Sequence, residues 1–207
     1  MLQEILKILN SIVYNRSIRE IYIDWVNMVG LSIANVSETN FNTFIEHEEQ
    51  YKKIVDKYTP TDLEKFAKCV ALLVELLENK IDDYLGKMYH ELELHNKDLG
   101  QFFTPYGVSC AMSKMVINKV KESDKVITVY EPTCGSGSTV LALLEELKNQ
   151  GINYQTRVHL TCTDLDSNVL MMCYIQLSLL GAKATCIVED SLANKQFDRF
   201  YTFRNFC

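Results

Sequence analysis

The chain has 207 residues, of which 47% are hydrophobic, and a formal charge of −6, a composition that supports a buried core of ordinary size. No run of about 18 apolar residues occurs, and the opening MLQEILKILNSIV carries Glu4 and Lys7 without a cleavage signature, so a cytoplasmic protein is expected rather than a membrane-spanning or secreted one. Residues 1–99 hold 11 Lys plus Arg against 17 Asp plus Glu, and residues 100–207 hold ten of each, which leaves no basic stripe for phosphate contacts and argues against unaided binding to nucleic acid.

The first half reads as helices throughout. Leu2, Ile5, Leu6, Leu9 and Val13 share one face, and Ile18, Ile21, Tyr22, Trp25 and Val29 share another, each at helical spacing. Thr61 to Glu64, after Pro60, reads as a capping box that opens a long helix through about Asn79. Asp82 to Tyr89 continues the helical pattern, and residues 95–99 are the expected hinge. Aromatic and methionine side chains in this half are assigned to the core rather than to a ligand. A helical domain over residues 1–95 and an α/β domain over residues 100–207 follow from this change of pattern.

The change is sharpest at Val126 to Ser138, VITVYEPTCGSGS, where a β-branched apolar run ends in Glu131 and breaks into a glycine turn before a helical pattern. Glycines at 135 and 137 leave no Cβ in the way, so the backbone can turn sharply and bring its N–H groups against a ligand at the following helix N-terminus. Ser138-Thr139-Val140 follows Gly137, so the third glycine of a dinucleotide fingerprint is missing. Glu131 would also place negative charge beside a pyrophosphate. The pattern suits a nucleoside whose short tail carries an ammonium or sulfonium; taken alone, it is equally compatible with a plain tight turn.

Acids further along extend the pattern. His159 to Thr163 reads as a second buried strand ending at Asp164-Leu165-Asp166, and Ala184 to Val188 as a third ending at Glu189-Asp190-Ser191. Ligands in open α/β sheets bind beyond the carboxyl ends of the strands, where these acids would converge. The plain alternative is that they are helix caps and solvated loop acids. Asp166 fits that alternative, because it directly precedes the helical run from Ser167 to Leu180.

Gly100-Gln101-Phe102-Phe103-Thr104-Pro105, then Glu131-Pro132-Thr133-Cys134-Gly135-Ser136-Gly137, then Thr163-Asp164-Leu165-Asp166, in this order and spacing, resemble the adenine-N6 DNA methyltransferases, specifically the modification subunits of type I restriction-modification systems. The resemblance covers Asp83 to Ser191. It implies a helical N-terminal domain followed by a partial Rossmann-like, S-adenosylmethionine-dependent methyltransferase domain, with methyl transfer to adenine N6 in DNA as the family function. By the same resemblance, Gln101, Phe103 and Thr104 would pack against the methionine moiety, and Glu131 to Gly137 would wrap the amino-acid tail and ribose. Asp164, with Leu165 beside it, would take the ribose hydroxyls, and Asp190 the adenine amino group. DNA would be reached through a partner such as a specificity subunit or a complementary methyltransferase half.

One family element has no counterpart. The family carries Asn-Pro-Pro-aromatic after a fourth strand to hold a flipped adenine, whereas Arg199 to Cys207 reads RFYTFRNFC, without proline. Catalytic residues are therefore unassigned, and the chain by itself is expected not to methylate DNA. A second reading stays open: a non-catalytic S-adenosylmethionine-binding or partner-binding module, either a shortened relic or one piece of a split methyltransferase. The seven cysteines include no Cys-x-x-Cys pair and the four histidines are dispersed, so neither a metal site nor a disulfide framework is expected.

Overall fold

A computed structural model describes residues 1–12, 16–92, 104–121, 125–193 and 195–202. Five helices come first: α1 (Leu2–Asn10), α2 (Ile18–Ser37), α3 (Phe41–Val55), α4 (Pro60–Asn79) and α5 (Tyr84–Glu91). Then follow α6 (Tyr106–Lys121), β1 (Ile127–Glu131), α7 (Ser138–Asn149), α8 (Tyr154–Arg157), β2 (Val158–Asp164), α9 (Ser167–Leu179), β3 (Lys183–Asp190) and β4 (Lys195–Tyr201). The hinge expected at residues 95–99 lies outside the described residues, as does Val13.

Local chemistry sets the helix starts. Ser17 and Asn40 cap α2 and α3 through their side chains. The capping box of α4 lies two residues earlier than its expected place: Thr59 is the cap, Pro60 the first helical residue, and Asp62 returns the bond to the Thr59 N–H. Proline suits that first position because its missing N–H would have had no helical partner. Asp166 caps α9 as expected, accepting from the Asn168 N–H at 2.9 Å.

The four-stranded sheet runs β1-β2-β3-β4, with β1, β2 and β3 parallel and β4 antiparallel to β3. Parallel strands need a crossover of about a dozen residues or more. Helices α7 and α9 supply it for the first three strands, but only residues 191–194 separate β3 from β4, so the chain must turn back. Asp190 pairs with Lys195 and Thr185 with Tyr201, which sends the end of β4 toward the start of β3. The stretch from Arg199, opposite Ile187, to Thr202 therefore runs away from the sheet edge that carries Asp164 and Asp190.

Helix α9 joins the two halves. Nine of its residues, Val169 through Leu177, are buried, the signature of a helix covered on every side. It packs on β2 and β3 with one face and on α2 with another. Tyr22 and Trp25 of α2 are fully buried in the shared core. The Tyr22 hydroxyl donates to the Leu85 carbonyl at 2.7 Å, and the Trp25 indole to the Phe66 carbonyl at 3.3 Å. Burying each such ring stabilises the fold by roughly 1.5–3 kcal/mol. Among the described residues no helix is long and apolar enough to cross a membrane.

Candidate functional site

Beyond the carboxyl ends of β1, β2 and β3 lies an open cavity of about 860 Å³. It gathers Thr104, Glu131, Pro132, Thr133, Cys134, Gly135, Ser136, Asp164, Leu165 and Asp190, ten of the residues singled out from the sequence. Gln101 and Phe103 lie outside the described residues. Gly137 does not line the cavity. Its φ is +99°, and a Cβ there would stand 2.8 Å from the Cys173 sulfur, so this glycine serves the turn and its close approach to Cys173 of α9.

Asp164 holds the glycine turn over the tip of β2. One carboxylate oxygen accepts from the Gly135 N–H at 2.8 Å, and the other from the Asp166 N–H at 3.0 Å. Each oxygen keeps a further lone pair for a ligand. Burial pushes this carboxyl above its usual range, more strongly than the N–H groups of Asp166, Gly135 and Leu165 pull it down. The Cys134 N–H donates to the Thr163 carbonyl at 2.8 Å, which seats the turn on the end of β2.

Other contacts shape the walls. Thr139 donates to Glu131 at 2.8 Å, so the first turn of α7 orients the β1 acid. Asp190 accepts from the N–H groups of Leu192 and Ala193 through one oxygen, and its other oxygen carries no hydrogen bond among the described residues. The Ser191 and Thr163 hydroxyls both donate to the Pro132 carbonyl, at 2.8 and 2.9 Å. Helix α7 has no side-chain cap, and Ser138 and Thr139 of its first turn face the cavity.

Among the described residues the lining holds five carboxylates, Glu131, Asp164, Asp166, Glu189 and Asp190, and no Lys, Arg or His. A phosphate-rich ligand would meet repulsion here, whereas hydroxyls, amines and a positive centre would be welcome. Leu165, 63% exposed, and Leu192, fully exposed, offer apolar surface beside them.

The sequence reading did not identify the support beneath the turn. Asp83, the cap of α5, is buried and accepts from Ser136 at 2.5 Å, from the Gly86 N–H at 2.9 Å and from Gln176 at 3.1 Å. Gln176 also donates to the Ser136 carbonyl at 3.0 Å and accepts from the Leu85 N–H at 3.2 Å. A Cβ at Gly86 would come within 2.3 Å of both the Asp83 and Ser136 oxygens, so only glycine permits this approach. A lone glutamine in the apolar run of α9 was the available signal, since a buried amide requires partners. The cysteine spacing gave no sign of a cluster either, yet the sulfurs of Cys162, Cys173 and Cys186 lie within 4.8 Å of one another.

Comparison with known proteins agrees with this architecture. The chain is 26% identical over 174 residues to the Type I restriction enzyme MpnII methylase subunit of Mycoplasma pneumoniae, covering 81% of this chain and 29% of that protein. It is 21% identical over 183 residues to the Type I restriction enzyme MjaIX methylase subunit of Methanocaldococcus jannaschii, covering 83% and 32%. The chain thus spans about a third of the length of these curated relatives. A crystal structure from Listeria monocytogenes, proposed to be a class I S-adenosylmethionine-dependent methyltransferase, superposes with a TM-score of 0.57 at 18% identity, over 95% of this chain and 55% of that one. That superposition supports the fold. Residues 80–205, more than half of the chain, match the N-6 DNA methylase family, and the chain belongs to that family.

Proposed function

We propose that the chain binds S-adenosylmethionine in the cavity above β1–β3, as the cofactor-holding part of an adenine-N6 DNA methyltransferase of the type I modification-subunit kind. The observation that carries this reading is the lining itself: five carboxylates and an uncapped helix N-terminus, with no cation among the described residues. In this arrangement Asp164 holds the ribose hydroxyls and Asp190 the adenine amino group. Glu131 takes the ammonium of the methionine tail, and the N–H groups at the start of α7 take its carboxylate. Thr104, Thr133, Cys134, Gly135, Ser136 and Leu165 wrap the remainder; the family resemblance assigns Gln101 and Phe103, outside the described residues, to the methionine moiety as well. When bound, the cofactor supplies a methyl group on a positively charged sulfur. The protein's own work is to hold that group and shield it, while DNA is brought by a partner subunit.

A second reading is favoured by the course of β4: the stretch from Arg199 to Thr202 runs away from the cavity, and the 207 residues contain no Asn-Pro-Pro-aromatic element. On that reading the chain is a cofactor- or partner-binding module that does not transfer the methyl itself.

Two measurements separate these possibilities. Calorimetry of the purified chain with S-adenosylmethionine and with its demethylated product is expected to show binding of both, and the absence of heat with either would overturn the cofactor assignment. Tritiated cofactor incubated with duplex DNA at low salt is expected to leave no counts in DNA for the chain alone. Counts only after a candidate subunit is added would support the methyltransferase reading, and none with any partner would leave the binding module.

A further inference from the structure

Three thiols from three separate elements converge beneath the glycine turn. Cys162 on β2 and Cys186 on β3 are partners across the parallel ladder, and Cys173 approaches them from α9. These three are completely buried, and their sulfurs lie within 4.8 Å of one another. Cys134, which lines the cavity, stands beside Cys162 and Cys173 but is not one of the three mutually adjacent sulfurs.

A single buried cysteine is an ordinary small apolar residue. Three sulfurs around a common centre are instead a trigonal set for Cu⁺, or three of the four donors that hold Zn²⁺ tetrahedrally at Zn–S distances of about 2.3 Å. With no two of these sulfurs more than 4.8 Å apart, a central point lies at most about 2.8 Å from each, so a contraction of about half an ångström or less brings them to bonding distance. No carboxylate or imidazole belongs to the group, which selects soft d¹⁰ cations over Mg²⁺ or Ca²⁺.

We propose that Cys162, Cys173 and Cys186 form a three-thiolate site for a thiophilic cation, Zn²⁺ or Cu⁺, under the glycine turn, with Cys134 beside it. Cys134 gives the route in, because it alone of these four cysteines lines the cavity. Each thiol that binds releases its proton to solvent, and no electron is transferred. The start of α7, four residues beyond Cys134, places a positive helix end near the anionic sulfur set. An occupied site ties β2, β3 and α9 together under the turn after β1. If the cavity holds S-adenosylmethionine as proposed above, metal binding then tightens the cofactor's seat.

The test uses the full chain, reduced and handled without oxygen. Zn²⁺ and Cu⁺ are added in separate arms, excess is dialysed away and the metal content is measured; Co²⁺ serves as a spectroscopic probe. One ion per chain and sulfur-to-cobalt charge-transfer absorption are expected, and the cation retained against the other in competition identifies the occupant. Cys162→Ala and Cys173→Ala are each expected to weaken metal binding at least 100-fold, whereas Cys69→Ala and Cys110→Ala leave it unchanged. Should the first two variants fail to fold, the unsubstituted chain still decides, because stoichiometric metal must raise its thermal midpoint. No retained ion in the reduced chain, or retention unaffected by losing Cys162 and Cys173, would overturn the site. Both results are independent of cofactor binding, so this inference and the cofactor assignment can fail separately.

Discussion

Ser136 and Asp83, 53 residues apart, share a 2.5 Å hydrogen bond beneath the glycine turn. It ties the cap of α5 to the turn that carries most of the candidate site. Gln176 of α9 braces both partners.

Asp83→Ala should therefore loosen the turn from below. It strands the buried Ser136 hydroxyl and one Gln176 proton, each at a cost of about 1–3 kcal/mol when left unpaired. Urea unfolding is expected to show that loss, and calorimetry a weaker grip on S-adenosylmethionine. A variant as stable as the parent would mean that Asp83 is dispensable.

The same residue makes stability depend on pH. Burial raises the Asp83 carboxyl above its ordinary 3.8, although Ser136, Gln176 and Gly86 all donate to it. Between 3.8 and the raised value the folded state holds more protons than the unfolded state, so this group's contribution to stability falls as pH rises. Asp83→Asn cannot ionise. Its stability relative to the parent should thus improve as pH climbs through that window, and a difference that stays flat in denaturant melts across the series would contradict the assignment.

Asp164→Ala should weaken S-adenosylmethionine binding by about 10- to 100-fold, since charge-assisted hydrogen bonds contribute roughly 1.5–3 kcal/mol and water replaces part of them. It also releases the Gly135 and Asp166 N–H groups. Asp164→Asn, which keeps one acceptor, should fall between. Unchanged affinity in the alanine variant would remove Asp164 from the site.

Gly137→Ala is expected to destabilise by more than the roughly 1–2 kcal/mol of a left-handed alanine, because the new Cβ meets the Cys173 sulfur at 2.8 Å. In metal-free buffer, adding Cys173→Ala should make the combined loss smaller than the sum of the two single losses. Strict additivity in the double-mutant cycle would show that the two positions do not touch.

Tyr22→Phe leaves the buried Leu85 carbonyl without its 2.7 Å donor. A loss of about 1–2 kcal/mol is expected, measurable as a lower denaturation midpoint with an unchanged slope. A neutral substitution would place Leu85 in contact with water.

Sequence alone determined the parts of this protein that depend on neighbours along the chain. Helical periodicity located α1, α2 and α9, the apolar runs located β1–β3, and the acids ending each strand placed Glu131, Asp164 and Asp190 at one edge. Such features are legible because the period of a helix or strand and the direction of a parallel unit follow from local geometry. The tertiary structure decided whatever depends on distance through space. The run of β4 was set by the four-residue link from β3. The role of Gly137 was set by Cys173, the bracing of the turn by Asp83 and Gln176, and the meeting of three cysteines by the stacking of α9 on β2 and β3. Apart from the run of β4, these join residues more than ten positions apart, and no spacing rule encodes such a contact, because packing two surfaces is what brings the atoms together.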